Sequence, residues 1–327
     1  MRQLIDPFGR KIEYLRISVT DRCDLRCSYC MSEDVEFLPR QDILSFEEII
    51  RVAKSFAQLG VKRIRITGGE PLMRKKLPEL IATIKAIEGI EEVVLTTNGT
   101  LLTQYAEPLY EAGLSRLNIS LDTLNSEKFL TLTRRDRLHA VLAGIAEAKK
   151  YPFESIKINT VAMRGMNDDE VVSLTDFAIE NGLDITFIEE MPLGEVGYDR
   201  SVTFLPSDEV KAMIAEKYSL LETDYKTGGP ATYSRVANTT SRVGFISPHS
   251  HNFCGDCNRV RMTSVGCLLL CLGNEESQDL RTPLRQGCSD DQLTDHLINA
   301  LKLKPEKHEF DLAEEVQILR FMSNTGG

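Results

Sequence analysis

Six short runs rich in Ile, Val and Thr recur along the first two-thirds of the chain, at 13–20, 62–67, 92–97, 116–121, 156–163 and 184–191. Most are bounded by Gly, Asn or Pro, which is how strands with turns at their ends read. Helical patterns fill the gaps. After Ser45, which forms a capping box with Glu48, the apolar residues Ile49, Ile50, Ala53, Phe56 and Ala57 fall at helical spacing. LPELIATIKAI, HAVLAGIAEAKKY and DDEVVSLTDFAIENG are further helices. Alternating strands and helices force parallel strands joined by right-handed crossovers. Six units are too few to close an eight-fold barrel. The expected fold is therefore α/β, an incomplete (βα)6 TIM-like barrel open on one side. In such sheets the working residues sit at the C-terminal ends of the strands.

The final third reads differently. KTGGPATY at 226–233 is turn-rich and marks a boundary. The expected division is a barrel domain over 1–225 and a C-terminal domain over 226–327. The 327 residues, 42% of them hydrophobic, suffice for this and exclude long disorder. No apolar run reaches the ~20 residues that a membrane helix needs. The N-terminal MRQLIDPFGRK lacks the apolar core of a secretory signal, so a cytoplasmic protein is expected. A net charge of −10 argues against general nucleic-acid binding but leaves room for a small anion held by a few converging cations.

In a reducing compartment, the eight cysteines read as metal ligands or catalysts before disulfides. Cys23, Cys27 and Cys30 form C-x₃-C-x₂-C directly after the first strand. Structural zinc takes four protein ligands, and no histidine is near. Three thiolates suit a [4Fe–4S] cluster with one iron left open. Later, Cys254 and Cys257 form C-x₂-C, with Cys267 and Cys271 both available to complete the set. From spacing alone this second site is zinc or iron–sulfur, and a Cys₄ zinc site is one version of it. Cys288 is left without a role. The five histidines, His139, His249, His251, His296 and His308, suggest no catalytic triad.

The C-x₃-C-x₂-C loop with Tyr29 before its last cysteine, followed one βα unit later by the TGGEP turn at 67–71, resembles the radical S-adenosylmethionine (SAM) superfamily. SVTDRC, RITGGEP, LTTNG, CxxCNRVR with C-x₁₃-C, and the terminal Gly326-Gly327 together resemble its GTP 3′,8-cyclase family, over nearly the whole chain. The resemblance implies a radical SAM-type partial barrel whose C-terminal extension carries a second iron–sulfur cluster. It implies two [4Fe–4S] clusters, on Cys23, Cys27 and Cys30 and on Cys254, Cys257 and Cys271, each with one vacant iron. The C-x₁₃-C spacing favours Cys271 over Cys267, at whose place a non-cysteine is expected. SAM, cleaved to a 5′-deoxyadenosyl radical, is implied at Tyr29, Gly69, Ser120 and Met191. GTP is implied at Arg16, Arg65, Thr96, Lys157, Arg259 and Arg261. Catalytic parts fall to Arg16, Gly326 and Gly327, with the diglycine end reaching into the active site. The reaction that the resemblance implies is removal of the C3′ hydrogen of GTP, attack of C3′ on guanine C8 and reduction, which opens molybdenum cofactor biosynthesis. Implied partners are GTP, a one-electron reductase and the next enzyme of the pathway, with neither nucleic acid nor membrane, in a monomer or homodimer.

The residues themselves argue in the same direction. Arg16, Arg65 and Lys157 lie inside strands with apolar neighbours (IRI, IKI), so they face away from those neighbours. In a partial barrel that direction is the interior, an unusual place for a cation without an anion. Arg259 and Arg261, two apart in an extended segment, share a face. Another radical SAM enzyme, such as a peptide-modifying maturase, explains both cysteine sets but neither this arginine pair nor the diglycine end. A non-enzymatic zinc-stabilised binding protein explains only the C-x₂-C.

Overall fold

A computed structural model describes residues 3–311 and 318–326. All its strands belong to one sheet. The six expected strands are present as β1 (Tyr14–Ser18), β2 (Arg63–Thr67), β3 (Glu92–Thr97), β4 (Arg116–Ser120), β5 (Ser155–Ala162) and β6 (Asp184–Glu189). They pair in chain order and all in parallel. Between them run the covering helices, among them α1 (Phe46–Gln58), α2 (Leu77–Lys85), α3 (Leu102–Glu111), α4 (Ser126–Thr133), α5 (Leu138–Ala148) and α6 (Val171–Glu180). The Ser45–Glu48 capping box opens α1 as expected, with both reciprocal bonds made. Ile49, Val52, Ala53 and Phe56 bury one stripe of α1, joining a core that also takes Ile17, Ile64, Ile66, Leu95, Leu117 and Ile119 from the strands.

The last third contributes six more short strands: β7 (Leu220–Glu222), β8 (Thr232–Val236), β9 (Arg242–Ile246), β10 (Arg259–Met262), β11 (Cys267–Leu269) and β12 (Ser277–Asp279). The sheet order is β12-β11-β10-β1-β2-β3-β4-β5-β6-β9-β8-β7. Hence β9 extends the parallel sheet beside β6 and β10 extends it beside β1. Sequence pattern alone did not separate these strands. They are three to five residues long, too short for alternation to stand out, and none is followed by a crossover helix of the earlier kind. Among the described residues, no helix is long and apolar enough to cross a membrane.

The register decides what the barrel interior contains. Arg16 of β1 lies opposite Arg65 of β2 on one side and Arg261 of β10 on the other. Directly opposite residues of neighbouring strands project to the same face. Three arginines therefore stand side by side across β10, β1 and β2.

Candidate active site

The first cysteine loop leaves the C-terminal end of β1 and is fastened to the glycine turn after β2. The Gly69 N–H donates to the Thr20 carbonyl at 2.8 Å and the Glu70 N–H to the Arg22 carbonyl at 2.7 Å. The approach is too close for a side chain: a Cβ on Gly69 would lie 2.5 Å from the Arg22 oxygen and 2.6 Å from the Asp21 oxygen. The family resemblance implies a place for Gly69 in SAM binding. It lines the cavity, but its missing Cβ first makes room for the cysteine loop. Gly69→Ala is accordingly expected to lose both bonds and destabilise the fold by about 2–4 kcal/mol. A urea unfolding midpoint unchanged from wild type would contradict this.

Glu70 ties the turn to β3. Its carboxylate accepts from the N–H groups of Leu72 (2.9 Å) and Asn98 (2.7 Å) and from the Thr97 hydroxyl (2.8 Å). Burial still pushes its pKa up, to about 7. Burial likewise raises the thiols of Cys23 and Cys27, and that of Cys30 to about 12 despite a backbone hydrogen bond from Ser323. Such thiols stay neutral until a cation claims them; a coordinating metal deprotonates a thiol outright. The Leu25 N–H (3.4 Å) and the Asn98 side-chain amide (3.8 Å) point at Cys23 Sγ, as donors to a metal-bound thiolate do. Tyr29 donates to Asp122 at 2.6 Å, and Asp122 also accepts from the Val161 N–H.

The second triplet lines the same space. Cys254 and Cys257 bracket one turn of 3₁₀ helix before β10, and Cys271 follows β11. All three line the cavity, whereas Cys267 does not. Cys267 lies in β11 opposite Asp279 of β12. Burial pushes the Cys257 thiol up, but the Arg259 and Lys304 cations outweigh it and hold it at about 7. Among the described residues no three His, Cys, Asp or Glu side chains converge on one metal ion. Zinc needs its ligands about 2.3 Å from one point, whereas a [4Fe–4S] cluster takes its thiolates on separate irons.

The cations line the same cavity. Burial first, then the charges of Arg261 and Arg65, drive the pKa of Arg16 well down. Burial, Arg259 and Arg65 lower that of Arg261 to about 10. Arg261 and Lys157 are only 9% and 7% exposed, and neither forms an ion pair among the described residues. Hydroxyls hold the row open instead. Arg65 donates to Tyr14 Oη at 2.6 Å and to Thr96 Oγ1 at 2.8 Å, and Lys157 donates to Tyr233 Oη at 2.8 Å. Burial raises the Tyr14 phenol, yet Arg65 and Arg16 outweigh it and lower its pKa. Adjacent like charges destabilise a sheet, and a polyanion bound beside such a row offsets that repulsion.

The C-terminal tail enters this space. Its start is tied to the loop after β6: Ile318 bridges Leu193, the Gly194 N–H donates to the Ile318 carbonyl at 2.8 Å, and Phe321 packs on Gly194. A buried group braces that loop, with Arg200 donating to Glu190 and to the carbonyls of Leu193 and Gly194. Ser323 and Thr325 are 2% and 0% exposed. Gly326 has φ +79°, and a Cβ there would lie 2.3 Å from Thr67 Cγ2. Its carbonyl accepts from Arg261 Nη1 at 2.5 Å. Gly327 lies outside the described residues.

One cavity of about 2040 Å³, its open mouth included, is lined by Cys23, Cys27, Cys30, Cys254, Cys257 and Cys271, by Arg16, Arg65, Thr96, Lys157, Arg259 and Arg261, and by Tyr29, Gly69, Ser120 and Met191. Residues 17–178 match the radical SAM superfamily and residues 183–310 match the family described as Molybdenum Cofactor Synthesis C. A GTP 3′,8-cyclase of Ectopseudomonas mendocina is 55% identical over 99% of both chains. The chain belongs to the GTP 3′,8-cyclase family. GTP 3′,8-cyclase 2 of Pseudomonas aeruginosa, 54% identical over 99% of both chains, is a second relative. Streptococcus suis SuiB bound to S-adenosylmethionine has a TM-score of 0.65 at 18% identity, covering 90% of this chain and 69% of its own. That likeness shows a shared radical SAM fold. Membership of GTP 3′,8-cyclase in the radical SAM superfamily implies a [4Fe–4S] cluster and SAM.

Several residues of this cyclase-family site escaped sequence reasoning. Tyr14 and Tyr233 sit in predicted strand or turn positions and carry no motif signal. Asp122 follows the NISL strand and reads as a strand-ending residue. Only the TGGEP motif pointed near Glu70.

Proposed function

We propose that the protein cyclises GTP to (8S)-3′,8-cyclo-7,8-dihydroguanosine 5′-triphosphate, the first step of molybdenum cofactor biosynthesis, as a radical SAM lyase. The observation that carries this reading is the arginine row Arg261–Arg16–Arg65, with Lys157 and Arg259, in a cavity that both cysteine triplets also line. GTP brings about four negative charges, and arginine forks match phosphate oxygens. Cys23, Cys27 and Cys30 would hold the first [4Fe–4S] cluster, which when bound supplies the electron that cleaves SAM. Cys254, Cys257 and Cys271 would hold a second cluster facing the guanine. Tyr29, Gly69, Ser120 and Met191 would hold SAM, and Thr96 joins the cations around GTP. Gly326, on Arg261, places the tail against the substrate site, with Arg16 and Gly327 as further catalytic parts.

Division of the chain into a barrel domain over 1–225 and a cluster-bearing domain over 226–327 belongs to this reading. So do a cytoplasmic location, a one-electron reductase, delivery of the product to the next enzyme of the pathway, and a monomer or homodimer. A peptide-modifying radical SAM enzyme has no use for five cations in its cavity. The two readings separate on SAM cleavage. Anaerobic protein reconstituted with iron and sulfide, given SAM and a strong reductant, is expected to release 5′-deoxyadenosine at least tenfold faster with GTP than without nucleotide. The same rate with and without GTP would reject GTP as the substrate.

A further inference from the structure

The second cysteine loop is held from behind by two cations with different circumstances. Arg10 donates to the carbonyls of Cys254 (2.8 Å) and Pro305 (2.6 Å), and its charge is paired with Asp6 at 2.5 Å. Lys304 follows the helix Asp290–Leu301 and is 3% exposed. Its ammonium donates to the carbonyl of Leu270, at 2.5 Å, immediately before Cys271. No ion pair of the described residues involves it, and it does not line the cavity. A buried ammonium without an anion is costly, and one carbonyl does not neutralise it. Arg10 is therefore explained by its own salt bridge, whereas Lys304 has no carboxylate partner among the described residues. The nearest candidate is the cysteine that follows the carbonyl it holds: Leu270 is bonded to Cys271, one of the three cysteines of the second set that line the cavity.

We propose that Lys304 is the counter-charge of the second cysteine triplet, and that it sets how readily a cluster held there accepts an electron. This rests on the second cluster proposed above. Three thiolates on a [4Fe–4S] core leave a net charge of about −1 before reduction and about −2 after it, and net charge and burial set such potentials. A fixed positive charge favours the reduced state more. Because Lys304 is outside the cavity, it acts on the cluster through the loop and is a positioning residue.

The test is a redox titration of reconstituted protein followed by electron paramagnetic resonance, with iron counted for each variant. SAM identifies the first cluster by perturbing its signal. Lys304→Gln keeps an N–H donor for Leu270 but removes the charge, and Lys304→Arg keeps the charge. In Lys304→Gln the reduction equilibrium of the second cluster is expected to fall at least tenfold, about 59 mV for a one-electron couple. The first cluster stays unchanged, and Lys304→Arg remains near wild type. Loss of the second cluster in Lys304→Gln but not in Lys304→Arg also supports the charge role. An unchanged second potential in Lys304→Gln with full iron overturns it, as does loss of the cluster in both variants. Wild-type protein with only about four irons and one resonance species removes the second cluster, and the proposal with it, before any variant is compared.

Discussion

Replacing Arg261 by alanine is expected to lower kcat/KM for GTP by about 10²–10³-fold, the scale of one lost charge-stabilising donor in a water-poor site. Two interactions go at once. The row Arg261–Arg16–Arg65 loses its outer member, and the Gly326 carbonyl loses the donor that fixes the tail. Arg261→Lys is expected to fall between, because a single ammonium restores charge but not the planar fork that reaches phosphate and carbonyl together. Binding is separable from folding here. GTP raises the thermal midpoint of a protein that binds it only in the folded state, by a stabilisation of RT ln(1 + c/Kd) at free GTP concentration c. Wild type is expected to show that rise and Arg261→Ala to lose most of it. An Arg261→Ala protein with wild-type kcat/KM would remove the arginine row from the account.

The second large effect concerns the cysteines. Cys27→Ala is expected to remove one cluster, about four of about eight irons, and with it all 5′-deoxyadenosine formation. Cys271→Ala is expected to lose the same amount of iron from the other triplet while retaining SAM cleavage, since the first loop is untouched. Cys267→Ala is expected to keep full iron. Cys267 belongs to the β11–β12 pair and is absent from the cavity wall, whereas Cys271 stands on it. Iron analysis of the three variants decides the ligand set. Full iron in Cys271→Ala with loss in Cys267→Ala would reverse the assignment of the second triplet.

Much of this was legible in the chain because the first six strands are long, β-branched and separated by helices. Such a pattern admits few topologies, and each predicted strand appears within two residues of its expected ends. The cysteine spacings were equally readable, since ligands supplied by one loop keep their order whatever the fold does around them. Register was not. Arg16, Arg65 and Arg261 are individually visible as cations among apolar neighbours, but that they form one row follows from pairing across β10, β1 and β2, and β10 lies more than two hundred residues after β1. The short strands of the last third were also hidden, because three to five residues give too little periodicity. The partners of the cations were hidden for another reason. A tyrosine such as Tyr14 looks like core until a neighbouring strand places Arg65 on its hydroxyl. The composition of the tail carries no packing signal, and it is its contacts with Leu193, Gly194 and Arg261 that hold it inside.

The most direct test of the central claim follows one atom. Reconstituted protein is given SAM, a strong reductant and GTP carrying deuterium at C3′, and the released 5′-deoxyadenosine is weighed by mass spectrometry. The account predicts deuterium in the 5′-deoxyadenosine, formed only when GTP is present. Unlabelled 5′-deoxyadenosine, produced at the same rate with or without GTP by protein shown to carry its iron, would contradict it.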